Sequence, residues 1–431
     1  MSSSSSSSSS KSSSSYPRDV AVRVLTRVLS DHMQLEDALA GVSGEVTPEA
    51  RGWLQEVCSG TLRWKGRLDF VIDSNALKKK PSGWLRKILL ISAYQLVVQE
   101  RANPSRVVSE TVNEVKRKEG EAPSKFANAL LRKIAEHALT WRNLELQSNM
   151  LPAQMASWAS LPAWLWNKLE KQQGREWASL YATASLERPK LWLRSKKPEL
   201  FKDYCELGPI PEAFQVSGQP PAGPVPQWPG FQDGLFFVQD ISSQMLVHGI
   251  AEEIRKTHPG QITALDLCAA PGGKSVGMAW TGMKVTSSDL VPARLELLRQ
   301  TVERVAPAIR VVAKTEVQNL PEQDLVWVDA PCTGTGILRR HPDVRWLKQE
   351  ADLLTLKPLQ EEVFKEGWNK VKSGGYLAYS VCSVLEEEGP RRVEKIGLDA
   401  AFKGQVVKTW FMLPQTAPHG DGFWCALIRK P

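Results

Sequence analysis

The run Ile262-Thr-Ala-Leu-Asp-Leu267 feeds directly into Cys268-Ala-Ala-Pro-Gly-Gly-Lys274, and no other feature narrows the available folds as much. A short apolar, β-favouring run followed by a glycine turn and a helix lets backbone approach a nucleotide-like ligand at the carboxyl edge of a parallel sheet. Asp289, 23 positions beyond Asp266, ends the next short strand, Lys284-Val-Thr-Ser-Ser288. A carboxylate there is placed to accept hydrogen bonds from ribose hydroxyls. Most glycine turns of this kind only close a strand-to-helix connection, so the acidic residue at this distance is what points to a ligand. Strands are expected near 262–267, 284–288, 309–312, 325–328, 375–380 and 422–428, with helical runs between most of them. That order predicts an α/β fold, a Rossmann-like doubly wound sheet, mostly parallel, with ligands at the carboxyl ends of its strands.

Cys332 in Asp329-Ala-Pro-Cys332 and Cys382 in Ser380-Val-Cys382-Ser383 each follow one of the later strands of this set. A lone cysteine in such a chain is usually a small buried hydrophobe, and Cys58, Cys205 and Cys425 are read that way. Two thiols over one ligand edge suit a specific chemistry. Carbon 5 of cytosine is too poor a nucleophile to attack a methyl sulfonium, but a thiolate added to carbon 6 makes an enamine whose carbon 5 is nucleophilic. A base must then remove the carbon 5 proton so that the thiolate can leave, which gives a second ionisable group work to do. Asp329 could hydrogen-bond the ring nitrogen and amino group of the base.

Asp266-Leu-Cys-Ala-Ala-Pro-Gly-Gly-Lys274, Asp329-Ala-Pro-Cys-Thr-Gly-Thr-Gly336, Arg339-Arg-His-Pro-Asp343 and Cys382-Ser383 together resemble the Sun-type RNA cytosine-5 methyltransferases, most of all the branch acting on bacterial 16S ribosomal RNA. The likeness runs from about Pro17 to the carboxyl terminus, where Gly420-Asp-Gly-Phe-Trp-Cys-Ala-Leu-Ile428 is similar to the family's closing strand. The resemblance implies that Cys382 is the nucleophile and Cys332 the helper in release. It implies that Cys268, Ala269, Ala270, Pro271, Gly272, Gly273 and Lys274, with Asp289 and Asp329, hold S-adenosylmethionine, Asp329 also facing the cytosine. Two departures stand out. Ala313-Lys314-Thr315 replaces the family's Gly-Asp-Ala at the adenine, and Glu386-Glu-Glu-Gly389 ends in glycine where the family has Glu-Asn.

Thr333-Gly-Thr-Gly336 is expected to give the loop after Cys332 freedom to close over a flipped base. Arg339, Arg340, His341 and Arg345 would contact RNA phosphate or shape the nucleophile's pocket; the alternative is pairing with Asp343 or Glu350 inside the loop. Lys274 is expected to order the site by pairing with a nearby carboxylate.

The amino-terminal half reads as helical. Val24, Leu25, Val28 and Leu29 recur at helical spacing, as do Leu85, Ile88, Leu89 and Leu96, then Val107, Val108, Thr111, Val112 and Val115. Ser124 is expected to cap a further helix carrying Phe126, Leu130 and Ile134. Pro17-Arg-Asp-Val-Ala, Asn128-Ala-Leu-Leu-Arg132 and the helical pattern resemble, more loosely, the all-α NusB-like RNA-binding domain carried by this branch of the family. Polar residues between the apolar stripes are the expected RNA contacts: Arg63, Lys65, Arg67, the run Lys78-Lys-Lys80, and Lys116-Arg-Lys118. Charge agrees, since 16–200 carry 29 Lys and Arg against 20 Asp and Glu, whereas 201–431 carry 25 against 27. The positive excess therefore lies outside the catalytic half, where an electrostatic grip on phosphate would sit.

The domain boundaries expected are a Ser-rich disordered tail over 1–15, the helical domain over 16–145, a connector with a small α+β adaptor over 146–232, and the methyltransferase domain over 233–431. Lys190-Leu-Trp-Leu-Arg194 is an expected adaptor strand, and Gly218-Gln-Pro-Pro-Ala-Gly-Pro-Val-Pro226 an exposed loop. Gly234-Leu-Phe-Phe-Val-Gln-Asp240 is expected to open the catalytic domain. At 431 residues, 42% hydrophobic and 24% charged, the chain is ordinary for a soluble globular protein. It has no apolar stretch approaching the roughly eighteen residues of a membrane helix, and neither metal-site nor disulfide spacing. The expected setting is cytoplasmic, the expected state a monomer, and the expected partner small-subunit ribosomal RNA. Methylation of transfer RNA is the related alternative. From another class, an RNA-binding assembly factor could retain the fold without turnover.

Overall fold

The computed structural model describes residues 17–76, 80–145, 150–397 and 402–431. The serine tract, and Lys78 and Lys79 of the basic run, lie outside the described residues. The chain divides into two compact units, one of 1–166 with His341–Leu347, the other of 167–340 with 348–431.

The first unit is helical. Its longest helix, Pro48–Asn75, starts with proline at its first position and with Thr47 accepting from Ala50 N at 3.4 Å. Asn103 likewise caps Pro104–Glu119, accepting from Arg106 N at 3.1 Å. Both starts use the residues that satisfy unpaired helical N–H groups. The core takes the expected stripes, with Val24, Leu25, Val28, Ile88, Leu89, Val107 and Val115 buried. Ser124 does not cap a helix. The helix runs Glu121–Glu136 from Gly120, and Ser124 lies buried inside it, donating to Glu121 O at 2.8 Å.

His341–Leu347 packs in this unit although its sequence lies within the catalytic half. Leu35 N donates to Asp343 Oδ2 at 3.1 Å, Arg345 to Ser160 O at 3.0 Å, and Trp346 Nε1 to Leu62 O at 2.8 Å. Lys65 Nζ sits 4.7 Å from the Trp346 ring and pairs with Asp69 at 2.7 Å. The expected RNA contacts Arg63 and Arg67 are buried. Arg67 donates to Trp158 O at 2.5 Å and lies over the Trp64 and Trp158 rings. Desolvation there lowers its pKa to about 10. An arginine can be an internal residue when aromatic faces and a carbonyl replace its water. Lys116, Arg117 and Lys118 are exposed, paired with Glu121, Glu114 and Asp19, at the helix end where cations suit the macrodipole.

The second unit holds two sheets. The small one contains β1 (Trp192–Ser195), β2 (Cys205–Leu207), β3 (Ala213–Val216) and β4 (Phe236–Val238), in the order β2-β3-β1-β4. The expected opening of the catalytic domain thus supplies a strand of this sheet, with Leu193 opposite Val238. Gly218 begins an exposed loop, as expected. The large sheet contains β5 (Thr263–Asp266), β6 (Lys284–Ser287), β7 (Arg310–Val311), β8 (Gln323–Asp329), β9 (Val371–Val381), β10 (Gln405–Met412) and β11 (Phe423–Arg429). Their order is β10-β11-β9-β8-β5-β6-β7. β5 through β9 pair in parallel, while β11 runs antiparallel to both β9 and β10. β10 was not among the strands expected from sequence. The order reverses between β5, paired with β6 on one side, and β8 on the other, which makes the carboxyl ends of β5 and β8 the natural ligand position.

Candidate active site

Parallel register builds the centre of the site. Asp329, last residue of β8, stands opposite Ser380 on β9, and Ser380 Oγ donates to Asp329 Oδ1 at 2.7 Å. That hydroxyl is itself fixed by Trp327 Nε1 at 2.9 Å. Asp329 Oδ2 receives Lys274 Nζ at 2.6 Å. Cys332 and Cys382 follow on the two chains leaving these strand ends, and their sulfurs lie 3.3 Å apart, both half-buried. Burial would lower the Lys274 pKa, but the charge and hydrogen bond of Asp329 outweigh it and hold the ammonium above its ordinary value. The Cys332 thiol is held far above the ordinary range, first by its hydrogen bond with Cys382, then by burial and by the negative charges of Cys382 and Glu388.

The glycine turn folds beside this pair. Gly272 sits at φ +112°, where a side chain would be strained, and caps the helix Gly273–Trp280. Asp289 is buried; its Oδ2 accepts from Ala270 N and its Oδ1 from Val291 N, each at 3.0 Å. Each of its oxygens keeps acceptor capacity for a hydroxyl. Asp266 Oδ1 and Ser288 Oγ are buried without a hydrogen-bond partner among the described residues. Cys268, Ala269 and Ala270 are buried, and Pro271 is exposed. Burial pushes the Cys268 thiol up.

Asp266 has a pH consequence. Its other oxygen accepts from Ser275 Oγ at 2.6 Å, yet burial, with smaller contributions from Asp329 and Asp289, raises its pKa from 3.8 to about 7. The folded chain therefore holds a proton that the unfolded chain has released, so stability falls as pH rises from about 4 to about 7 and is flat above. Asp266→Asn is expected to remove this slope and to stabilise the cofactor-free protein at pH 8 by an amount on the order of 1–4 kcal/mol, seen as a higher melting temperature. Thermal melts of both proteins at pH 4, 6 and 8 check it; equal pH slopes would contradict it.

The family described as 16S rRNA methyltransferase RsmB/F matches residues 255–428, and the NusB family matches residues 15–136. The ribosomal RNA small subunit methyltransferase B of Shigella flexneri is 30% identical over 96% of this chain and 98% of its own length. The chain belongs to the RsmB/F methyltransferase family. Among solved structures, PH0851 superposes with a TM-score of 0.70 at 19% identity, covering 96% of this chain and 99% of that one. A methyltransferase homologue from Pyrococcus horikoshii gives 0.54 at 22% identity over 66% of this chain and 100% of that one. These two likenesses establish a shared fold.

This RsmB/F member is an S-adenosylmethionine-dependent RNA methyltransferase with a NusB-like all-α amino-terminal domain and a Rossmann-like catalytic domain. RNA is its substrate, and among the described residues no helix is long and apolar enough to cross a membrane.

Its loops differ from expectation in three respects. The Thr333–Gly336 turn is packed tightly. Gly336 N donates to Cys382 O at 2.9 Å and Gly422 N to Gly336 O at 2.8 Å. A Cβ on Gly336 would fall 2.0 Å from Gly422 O, so this glycine serves the close approach of two segments of backbone. Arg339 and Arg340 are structural. Arg339 donates to His419 O and Gly420 O, and Arg340 bridges Asp240 at 2.9 Å and Asp421 at 3.0 Å, which are not the partners expected inside the loop. Arg345 belongs to the other compact unit.

The departures also have partners. Lys314 pairs with Glu366. A Cβ on residue 389 would lie 2.9 Å from the Trp424 ring, which accounts for glycine there. Lys274 pairs with a carboxylate, as expected. Sequence reasoning missed Ser380, Thr333, Gln360 and Glu388. Glu388 sits in an acidic run, and such runs usually mark a solvated surface.

Proposed function

We propose that the chain methylates carbon 5 of a cytosine in 16S ribosomal RNA, with a covalent bond from Cys382 to carbon 6 of the base. The observation that carries this reading is the pair of thiols 3.3 Å apart beside the Lys274–Asp329 pair, at the carboxyl ends of adjacent parallel strands.

S-adenosylmethionine fits the residues present. Asp289 has acceptor capacity for ribose hydroxyls, and Asp266 Oδ1 and Ser288 Oγ, which have no hydrogen-bond partner among the described residues, lie at the ends of the paired strands β5 and β6. When bound, the cofactor supplies an electrophilic methyl group. The residues of this chain do the rest. Cys382, as thiolate, adds to carbon 6, and the displaced ring electrons make carbon 5 the nucleophile that takes the methyl group. Asp329, oriented by Ser380 and Lys274, accepts from the cytosine amino group. Once Cys382 is a thioether, the foremost cause of the raised Cys332 pKa is gone. Cys332 can then yield its proton to solvent and remove the proton on carbon 5. The released electron pair restores the ring double bond and expels Cys382 as thiolate. One proton leaves to solvent per turnover, and both sulfurs return to their starting states.

The deciding experiment maps 5-methylcytosine across ribosomal and transfer RNA from cells with and without the gene. Loss of one 16S position is the expected result. Loss confined to transfer RNA would replace the substrate, and no loss anywhere would replace the activity with RNA binding alone.

A further inference from the structure

Glu388 is buried, and nothing in the methyl-transfer chemistry requires it to touch a base or a methyl donor. Its carboxylate takes Thr333 N at 2.9 Å, Thr333 Oγ1 at 2.5 Å and Gln360 Nε2 at 3.1 Å. Gln360, also buried, donates in addition to Pro331 O at 3.0 Å. The residues on either side of Cys332 are therefore held by one network. Arg392 locks the Gln360 amide by donating to its oxygen at 3.1 Å, and Arg392 is held in turn by Glu361 at 3.1 Å. Glu388 is anchored through its carbonyl, which accepts from Tyr379 OH at 3.0 Å.

Glu388 lies six residues after Cys382, on the same excursion from β9. Its side chain thus ties the loop of one thiol to the loop of the other. Other ties join the same loops further along, Thr335 Oγ1 to Ser383 Oγ at 2.9 Å, Val384 N to Thr335 Oγ1 at 3.2 Å and Gly336 N to Cys382 O at 2.9 Å. Of these, the Glu388 tie is the one that grips the residue bonded to Cys332. A carboxylate suits this place because three donors converge on it, and acceptance by an ionised group shortens and strengthens such bonds. Alanine there would take the acceptor from Thr333 N and Thr333 Oγ1 in a dry interior, and leave the Gln360 amide only its bond to Pro331 O.

We propose that Glu388 is a positioning residue that holds Cys332 within reach of the Cys382 adduct, so that it governs product release and leaves the attack by Cys382 intact. This inference rests on the cysteine roles proposed above. It predicts a signature that general loosening of the fold would not produce. Attack needs only Cys382, whereas release needs Cys332 in place, so loss of Glu388 should slow the second step and let covalent protein–RNA adduct accumulate.

The test compares the full-length wild type with Glu388→Ala, Glu388→Gln, Thr333→Val and Cys332→Ala, each given unmethylated 16S RNA and S-adenosylmethionine. The readouts are 5-methylcytosine formed and the fraction of protein in a denaturant-resistant complex with RNA. Glu388→Ala is expected to lose roughly 10-fold to 100-fold in turnover, as misplacement of a reacting group by about 1 Å can cause, while its adduct fraction rises several-fold. Adding Cys382→Ala should abolish that adduct. Glu388→Gln, which keeps one acceptor oxygen and the shape, should recover part of the turnover. Thr333→Val removes one donor without emptying the interior, and should raise the adduct fraction to a smaller extent. Should Glu388→Ala prove unfolded by its melting curve, Thr333→Val decides alone. Adduct in Cys332→Ala but none above wild type in the folded Glu388 and Thr333 variants would overturn the positioning role. Absence of adduct in Cys332→Ala itself would instead overturn the cysteine assignment.

Discussion

Cys382→Ala protein is expected to form neither 5-methylcytosine nor a covalent complex with RNA, while retaining its fold and its affinity for S-adenosylmethionine. Without a sulfur to add at carbon 6, carbon 5 never becomes nucleophilic, and no neighbouring group replaces it. Cys332, 3.3 Å away, starts protonated for the reasons given above, and a thiol is a poor nucleophile beside a thiolate. The loss should be roughly 10⁴-fold or more, the scale found when a covalent nucleophile is deleted. Alanine also leaves little to destabilise, because the Cys382 side chain is half-buried and the contact its loop depends on is a backbone one, Gly336 N to Cys382 O at 2.9 Å. Incorporation of a labelled methyl group, scored beside a denaturing gel and a cofactor titration, measures all three properties. Methylation persisting at more than a few per cent would remove Cys382 from the nucleophile's role.

The parts of this site that could be read in the sequence are those that sit where a strand ends. Asp266, Asp289, Asp329 and both cysteines sit at or just beyond the ends of short strand-like runs, and parallel register brings the ends of such runs together whatever lies between them. β10 had no comparable signal. It pairs along one side only, with β11, and shows most of its residues to solvent, so neither face imposes a period on Gln405–Met412. Arg63 and Arg67 were misplaced for the opposite reason: cations on a helix read as solvent-facing until Trp64 and Trp158 are seen flanking Arg67. Glu388 was hidden by its company. Glu386 and Glu387 do face outward far enough to meet Arg391 and Lys168, and only the turn that buries the third glutamate separates it from them. Local composition carries no trace of a contact between 388 and 333, because both residues lie in irregular chain that tertiary packing positions.

Cys332→Ala is expected to give the reverse phenotype, adduct without product. The nucleophile remains, so attack and methyl transfer proceed, but the carbon 5 proton has lost the base that removes it. Since elimination of Cys382 requires that proton to leave, the protein stays bonded to RNA after one methyl transfer. The site offers no obvious substitute. Lys274 is held as an ammonium by Asp329, and the Asp329 carboxylate, held by Lys274 and Ser380, is directed in the proposed mechanism to the cytosine amino group and not to carbon 5. Multiple turnover should therefore fall by roughly 10²-fold to 10⁴-fold, the usual contribution of a general base, while a single methyl group per protein molecule is still transferred. Raising the pH should rescue little, because hydroxide from bulk water reaches a half-buried loop poorly and carries none of the geometry that Gln360 and Glu388 impose on residue 332. A burst of one labelled methyl per protein, carried on a protein–RNA band stable to denaturant, is the expected measurement. If Cys332→Ala shows no such band while Cys382→Ala does, the two sulfurs exchange roles, and the raised pKa of Cys332 would belong to a nucleophile awaiting activation.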